Sequence, residues 1–388
     1  MILDLAAGCA AVVWLYLIFG RGLFWRFRES REPEAEPPER LSKRVAIVIP
    51  ARNEAECIGQ AIASLLCQDY RGRYHVFLVD DHSQDGTLDQ ALSLARKAGK
   101  PELLTATSAR SLPEDWTGKL WALAEGVNHA QAFQPDYVLF NDADIMHAPD
   151  SLSRLVERAE AGYDLVSYMV KLKCETFPEK ALIPAFVFFF FMLYPPAWTA
   201  SPRHATAGAA GGCILIRWSA LARICGIAAI RSELIDDCAL AKAVKSAGGK
   251  IWLGLTSKTR SIRSYGTFGE IGRMISRTAF WQLRHSPWLL AGTMAGMFIT
   301  YMMPPLLLLT GRRIPAGLGM AAWTLMMVAY VPSLRFYGLT MLWAPTLPVV
   351  ALFYAGATVH SALRYWSGCG GEWKGRVQDS SAKTRRPP

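Results

Sequence analysis

Carboxylates fall in this chain where they could do chemistry, in four short motifs. VAIVIPARNE runs from Val45 and ends on Glu54; VDDHSQDGT at Val79–Thr87 holds Asp80 and Asp81. NDAD at Asn141–Asp144 holds Asp142 and Asp144, and DDCAL at Asp236–Leu240 opens on Asp236 and Asp237. Each motif sets acids just after an apolar, strand-like run or at the start of a helix-like one. Paired carboxylates at a strand end offer hard oxygen ligands to Mg2+ or Mn2+. A carboxylate within reach of an attacking hydroxyl can serve as a general base. Each motif alone also has a plainer reading. A lone DxD suits a helix cap, Asp80–Asp81 before Ser83 suits an Asx turn, and Asp236–Asp237 suits a helix N-terminus through its dipole. Their joint occurrence on one pattern is what points to a site.

Such motifs need a scaffold that gathers distant strand ends. From Arg44 to Val170 the apolar runs RVAIVIP, YHVFLVDD, ELLTA, YVLFNDAD and DLVSYMV alternate with helical spacing at Ala55–Leu66, Thr87–Ala98, Lys119–Ala130 and Ser151–Glu160. This βαβα alternation predicts an α/β domain with a mostly parallel sheet and helices on both faces. Ligands of such sheets bind beyond the carboxyl ends of the strands, where the acids fall. The first turn reads PARNEAE, without the GxGxxG of a dinucleotide fold, and no GxxxxGK[ST] loop occurs. Phosphate would then be neutralised by metal and side-chain charge. Gly211–Gly212 before CILIR suits a tight turn or a close backbone approach to a ligand. His82 and His147 border acidic motifs and read as polar loop residues. The eight cysteines show no CxxC spacing, so neither a zinc cluster nor a disulfide framework is expected.

The apolar residues are uneven. The chain of 388 residues is 52% hydrophobic and 19% charged, with apolar segments concentrated at 1–20, 183–198 and 288–366. Its net charge of +10 suits basic flanks of membrane segments. No basic helix interleaved with aromatics marks a nucleic-acid partner. Arg21, Arg26 and Arg28 follow the first apolar run, whereas a cleavable signal carries its charge before it. Residues 1–20 are therefore expected to be an uncleaved anchor with its N-terminus outside. Residues 21–43, with EPEAEPPER at Glu32–Arg40, read as a linker. Trp288–Thr310, Ile314–Leu334 and Gly338–Tyr365 each approach the roughly 20 apolar residues that a bilayer needs. Three spans would set Lys374, Arg376, Lys383, Arg385 and Arg386 of the 367–388 tail outside, against the positive-inside rule, so two or three spans are expected in 288–366. Ile183–Trp198 (IPAFVFFFFMLYPPAW) is shorter, and is expected to lie in the membrane interface within a domain spanning 44–286. A buried core segment is the alternative.

With these motifs the chain resembles glycosyltransferase family 2, over about Arg44 to Ser286. Within it, LPEDWTGKLWAL, FVFFFFMLYPPAW, GAAGGCILIR and RTAFWQLRHSPW resemble the hopene-associated glycosyltransferases of hopanoid biosynthesis. The resemblance implies a GT-A-type nucleotide-sugar domain with N- and C-terminal transmembrane helices. It implies an inverting, metal-dependent transfer from a nucleotide sugar, a UDP-sugar, to a lipid acceptor of hopanoid type, with Mg2+ or Mn2+. The location would be a bacterial inner membrane, with the catalytic domain cytoplasmic. By the same resemblance Glu54 and Asp81, with Asp80 beside them, contact base and ribose. Asp144 binds the metal, Asp142 the ribose or the metal, and Lys119 of TGK reaches the diphosphate. Asp237 is the catalytic base, and Asp236 replaces the usual Glu before it. Many membrane members carry QxxRW. Here SRTAFWQLRHSPW supplies Arg277, Trp281, Gln282 and Arg284 at other spacing for diphosphate and acceptor. A polysaccharide synthase, a ceramide or polyprenyl-phosphate transferase, and an inactive membrane scaffold are the alternatives.

Overall fold

Strand β1 (Val45–Ala51) is buried along its whole length, as a central strand covered on both faces must be. In the computed structural model, which describes residues 1–27, 29, 42–373, 376 and 377, the chain forms two compact units. One comprises Arg28–Lys173 and Trp198–Arg263, the other Met1–Phe27, Cys174–Ala197 and Ser264–Pro388.

The first unit is built on an eight-stranded sheet. Its further strands are β2 (Tyr74–Asp80), β3 (Leu104–Ser108), β4 (Tyr137–Asn141), β5 (Ile145–His147), β6 (Leu165–Lys171), β7 (Cys213–Arg217) and β8 (Ile251–Ser261). The order across the sheet is β3-β2-β1-β4-β7-β6-β8-β5. Val45, Ile47 and Ile49 face a core shared with helices Ala55–Leu66, Thr87–Lys97 and Ser151–Glu160. Ala46 and Val48 face the other core, with Gly118–Ala130, Trp218–Arg223 and Asp236–Ser246. At Gly126 a Cβ would come within 2.4 Å of Val48 Cγ1, so glycine permits the close seat of helix Gly118–Ala130 on β1.

The expected strands and helices of the first half form where the periodicity put them. The second half departs from a uniform parallel sheet. β1, β2, β3 and β4 run parallel, but β7 is antiparallel to both β4 and β6. β8 pairs parallel with β6 and antiparallel with the short β5. The reversal of β7 has a direct effect on the site. Cys213 pairs with Asn141, which brings Gly211 and Gly212 against the end of β4. In the β5–β8 ladder Ser261 lies opposite Ile145, beside the DxD.

The second unit consists of apolar helices. Among the described residues five helical stretches are long and apolar enough to cross a membrane: Leu3–Gly20, Phe177–Ala200, Pro287–Thr310, Arg313–Phe336 and Met341–Trp366. Side chains tie them through backbone carbonyls. Trp14 Nε1 donates to Thr300 O (2.7 Å), Ser333 Oγ to Pro184 O (2.6 Å) and Tyr354 OH to Leu182 O (2.9 Å).

The Phe-rich segment differs from its reading as a short helix inside a 44–286 domain. Its helix starts at Phe177, six residues before the apolar run, and the helical stretch reaches 24 residues with Pro196–Ala200. A capping box starts it: Thr176 Oγ1 accepts the Glu179 N–H, and Glu179 Oε2 accepts the Thr176 N–H. The charged ETFPEK at the start hid this length from a count of apolar residues. Residues Cys174–Ala197 group with the apolar helices, and the α/β unit closes at Arg263 rather than Ser286. Phe188 and Phe191 are buried, while Phe189 and Phe190 are half-buried. Arg28, the EPEAEPPER linker and tail residues Lys374, Lys383, Arg385 and Arg386 lie outside the described residues.

Candidate active site

The loops after β1 and β2 are laced together. Asn53 N–H donates to Ser83 Oγ (2.8 Å), and Asn53 Oδ1 accepts from Gln84 N–H (2.9 Å). Glu54 N–H donates to Thr87 Oγ1 (2.8 Å) and Ala55 N–H to Asp85 Oδ2 (3.0 Å). Asn53 and His82 take positive φ values of 51° and 55°, which lets each loop turn back toward the other. Asp80 accepts the Ser83 N–H with Oδ2 at 2.9 Å, so the turn role is real. Among the described residues its Oδ1 is buried without a hydrogen-bond partner. Such an acceptor is costly unless something else bonds it. Asp81 is buried beside it, with Arg52 Nη1 3.5 Å from its Oδ2.

At the end of β4 the acids meet residues from β8. Asp144 Oδ2 accepts from Ser261 Oγ (2.6 Å) and lies 3.3 Å from Arg263 Nε. Arg263 Nη2 lies 2.5 Å from Glu54 Oε2. The guanidinium therefore joins two acids that stand 90 positions apart in sequence. Behind them His147 is buried on β5 rather than held in a loop, its Nε2 2.6 Å from Asn141 Oδ1. Burial pushes its pKa down to about 4, so the ring is neutral at physiological pH. Asn141 Nδ2 in turn donates to Asp142 O at 2.9 Å, which fixes the DxD turn.

A second cluster forms around Lys119. Thr117 starts helix Gly118–Ala130 by accepting the Leu120 N–H, and Lys119 follows in the first turn. Lys119 Nζ lies 2.9 Å from Asp142 Oδ1 and 3.0 Å from Asp236 Oδ2. Burial alone would lower the lysine's pKa; the two carboxylates outweigh it and hold the ammonium well above its ordinary range. Burial raises the Asp142 carboxyl, opposed by Lys119 and reinforced by Asp144 and Asp236. Asp237 opens helix Asp236–Ser246 and accepts two backbone N–H groups: Gly211 to Oδ2 at 2.8 Å and Cys238 to Oδ1 at 2.7 Å. A Cβ at Gly211 would lie 3.2 Å from Asp237 Oδ2 and 3.6 Å from Lys119 Nζ, so glycine lets the backbone come close to these two side chains. Burial pushes the Asp237 carboxyl up to about 6, helped by Asp236 and opposed by Lys119 and the two N–H groups. Lys119, Asp142, Asp236 and Asp237 line one small pocket.

The α/β unit thus gathers Glu54 with Asp144, and Lys119 with Asp142 and Asp236, while Asp237 shares their pocket. Asp80 and Asp81 sit at the neighbouring strand end. Arg277, Trp281, Gln282 and Arg284 belong to the other unit. There Gln282 Nε2 donates to Tyr194 OH (2.8 Å) and Trp281 packs edge-on to His285. Arg52, Ser261 and Arg263 escaped the sequence reading. Their only signal was a set of polar and basic residues at the ends of strands.

Among the described residues no three Asp, Glu, His or Cys side chains form a cation cage. The donor set nevertheless fits a divalent ion shared with a substrate. Asp142 and Asp144 are hard ligands at one turn, and among the described residues each keeps one oxygen, Oδ2 and Oδ1 respectively, without a protein partner. Mg2+ commonly binds by one or two carboxylates plus substrate phosphates.

Residues 46–225 match the model of glycosyl transferase family 2. Undecaprenyl-phosphate 4-deoxy-4-formamido-L-arabinose transferases of Serratia proteamaculans and Pseudomonas syringae pv. syringae are 32% and 31% identical to the chain over 126 residues. Those matches cover 32% of this chain and 36% and 35% of the relatives, so the similarity spans about a third of their length. A mannosyltransferase from Pyrobaculum calidifontis, solved with GDP-Man and Mn2+, superposes with a TM-score of 0.55 at 18% identity, covering 92% of this chain and 98% of that one. The α/β unit therefore has the GT-A fold. Within the chain, residues 46–225 are similar to glycosyl transferase family 2, and the described residues also include apolar helices.

Proposed function

We propose that this chain is a membrane-bound, inverting glycosyltransferase that moves a sugar from a nucleoside diphosphate sugar to a hydroxyl of a lipid. Asp237 is the observation that carries this reading. A hydroxyl must lose its proton as it attacks. A carboxylate poised near 6 is deprotonated at neutral pH and basic enough to take that proton. The N–H groups of Gly211 and Cys238 use one direction on each Asp237 oxygen and fix its plane.

The other residues divide the donor between them. Glu54, Asp80 and Asp81 are acceptors suited to ribose hydroxyls and a base N–H. Mg2+ or Mn2+, held by Asp144 and Asp142, would neutralise charge on the leaving diphosphate. Lys119 adds a fixed positive charge beside Asp142. Asp237 takes the proton from the acceptor oxygen while that oxygen attacks the anomeric carbon, opposite the leaving group. The nucleoside diphosphate departs with the bonding pair, the anomeric configuration inverts, and no covalent enzyme intermediate forms. A UDP donor rests on the sequence resemblance; the similar mannosyltransferase was solved with GDP-Man. The five apolar helices support a membrane location. Arg21 and Arg26 after the first helix support a cytoplasmic α/β unit, in a bacterial inner membrane.

The acceptor has two readings that differ in chemistry. A hydroxylated hopanoid-type lipid follows from the resemblance of the Phe-rich and TGKLW segments. The curated relatives are named for undecaprenyl phosphate, which supports a polyprenyl phosphate. A phosphate monoester, with a second pKa of about 6, is already a deprotonated nucleophile and needs no base. The environment of Asp237 favours the hydroxyl. The test is transfer from labelled UDP- and GDP-sugars by the full chain in detergent, with each lipid, comparing wild type and Asp237→Asn. Transfer to the hydroxylated lipid that collapses in Asp237→Asn supports the proposal. Transfer to polyprenyl phosphate that survives the substitution moves the chain to the second reading.

A further inference from the structure

Arg263 follows β8 and has no part in the reading above. Its Nη2 lies 2.5 Å from Glu54 Oε2 and its Nε 3.3 Å from Asp144 Oδ2. The side chains are largely shielded, at 28% exposure for Arg263, 9% for Glu54 and 13% for Asp144. One guanidinium therefore spans the acid on the nucleoside side and the acid on the metal side. Ser261 Oγ takes the same Asp144 oxygen at 2.6 Å, which leaves Oδ1 as the free ligand. Two shielded carboxylates with no cation between them would each bear a desolvation cost, and Arg263 offsets it.

The same guanidinium suits a second task. Its planar fork matches phosphate oxygens two at a time, and it stays charged at any relevant pH. A divalent ion on Asp144 would repel it from that carboxylate. A diphosphate arriving with the ion would offer it new acceptors close by. We propose that Arg263 is the donor site's resident counter-charge: it holds Glu54 and Asp144 when no donor is bound and turns to the diphosphate when metal and donor arrive. This rests on the nucleotide-sugar reading of the site and adds a diphosphate-binding residue to it.

The proposal requires two affinities to move in opposite directions. Arg263 competes with a bare metal ion for Asp144, yet supports the diphosphate once the ion is in place. The test uses the full chain in detergent, with Mn2+ alone followed by electron paramagnetic resonance. UDP and GDP are titrated separately at saturating Mn2+ by calorimetry. Arg263→Met should bind Mn2+ about threefold or more tightly, because a nearby positive charge is gone, and the preferred diphosphate about tenfold more weakly. Arg263→Lys keeps the charge and loses the fork: Mn2+ affinity should stay at the wild-type value, with the diphosphate weakened about threefold. Should Arg263→Met not fold, that split in Arg263→Lys decides the matter. Parallel weakening of both ligands would mean a structural role and overturn the proposal, as would no change in either. Wild-type protein that binds neither Mn2+ nor a diphosphate removes the donor reading itself, and this inference with it.

Discussion

Two shielded carboxylates sit at helix N-termini in the two units, and their partners set them apart. Glu179, in the apolar-helix unit, is fully buried and takes four donors. Oε2 accepts from Glu175 N–H (2.8 Å) and Thr176 N–H (2.9 Å); Oε1 accepts from Ser264 Oγ (3.1 Å) and Tyr265 N–H (2.7 Å). A carboxylate has about four lone-pair directions, and the protein fills them all. Asp237 in the α/β unit takes two N–H groups and keeps the rest of its capacity. One acid is spent on holding a helix start to the segment around Tyr265. The other is oriented and left able to accept a proton. Burial alone does not tell these two acids apart; the number of fixed donors does.

Breaking each acid sharpens that contrast. Asp237→Asn keeps the shape and removes the basic oxygen, so kcat for a hydroxyl acceptor should fall by at least about 10²-fold, with thermal stability and donor affinity near wild type. Equal transfer by the variant would move the base elsewhere. Asp144→Asn should weaken Mn2+ binding about tenfold or more, read by electron paramagnetic resonance on folded protein; unchanged affinity would take Asp144 out of the metal site. Glu179→Ala should do the reverse of Asp237→Asn. It strands several donors at a cost of at least about 2 kcal/mol, lowering the melting temperature in detergent while the folded fraction keeps its kcat. A loss of kcat at full stability would make Glu179 part of the chemistry. Asp236→Asn should have the smallest effect, a few-fold in kcat, because Asp142 still neutralises Lys119. If it proves worse than Asp237→Asn, the base is Asp236.

The α/β pattern was open to a sequence reading because its signals are local. Short continuous apolar runs and helices at 3.6 spacing fix β1 to β4 and their helices one after another, and the acids lie at the ends of those strands or, for Asp236 and Asp237, at a helix start. The Asp80–Asp81, Asp142–Asp144 and Asp236–Asp237 pairs were therefore visible. Arg263 and Ser261 were not, because their meaning depends on sheet order. Only when β8 pairs with β5, setting Ser261 opposite Ile145, does residue 263 reach Asp144 and Glu54. The reversal of β7 was hidden for the same reason, and with it the reach of Gly211 to Asp237. His147 read as a loop residue because a three-residue strand carries too little periodicity to be seen. The Phe-rich helix was shortened because its first turn is charged, although the Thr176 and Glu179 capping pair marks its start.

The most direct test of the central claim, that Asp237 deprotonates an acceptor hydroxyl, is the pH profile of the chemical step under single-turnover conditions. Asp237 is raised above the ordinary carboxylate range, to about 6, and must be deprotonated to act. The rate should therefore be full above that pH and fall about tenfold per unit below it. Asp237→Asn should be slow and lack this limb. A wild-type rate that is flat from pH 5 to 8 (a range set by that pKa of about 6), or an Asp237→Asn variant with the same rate and the same limb, would contradict the account.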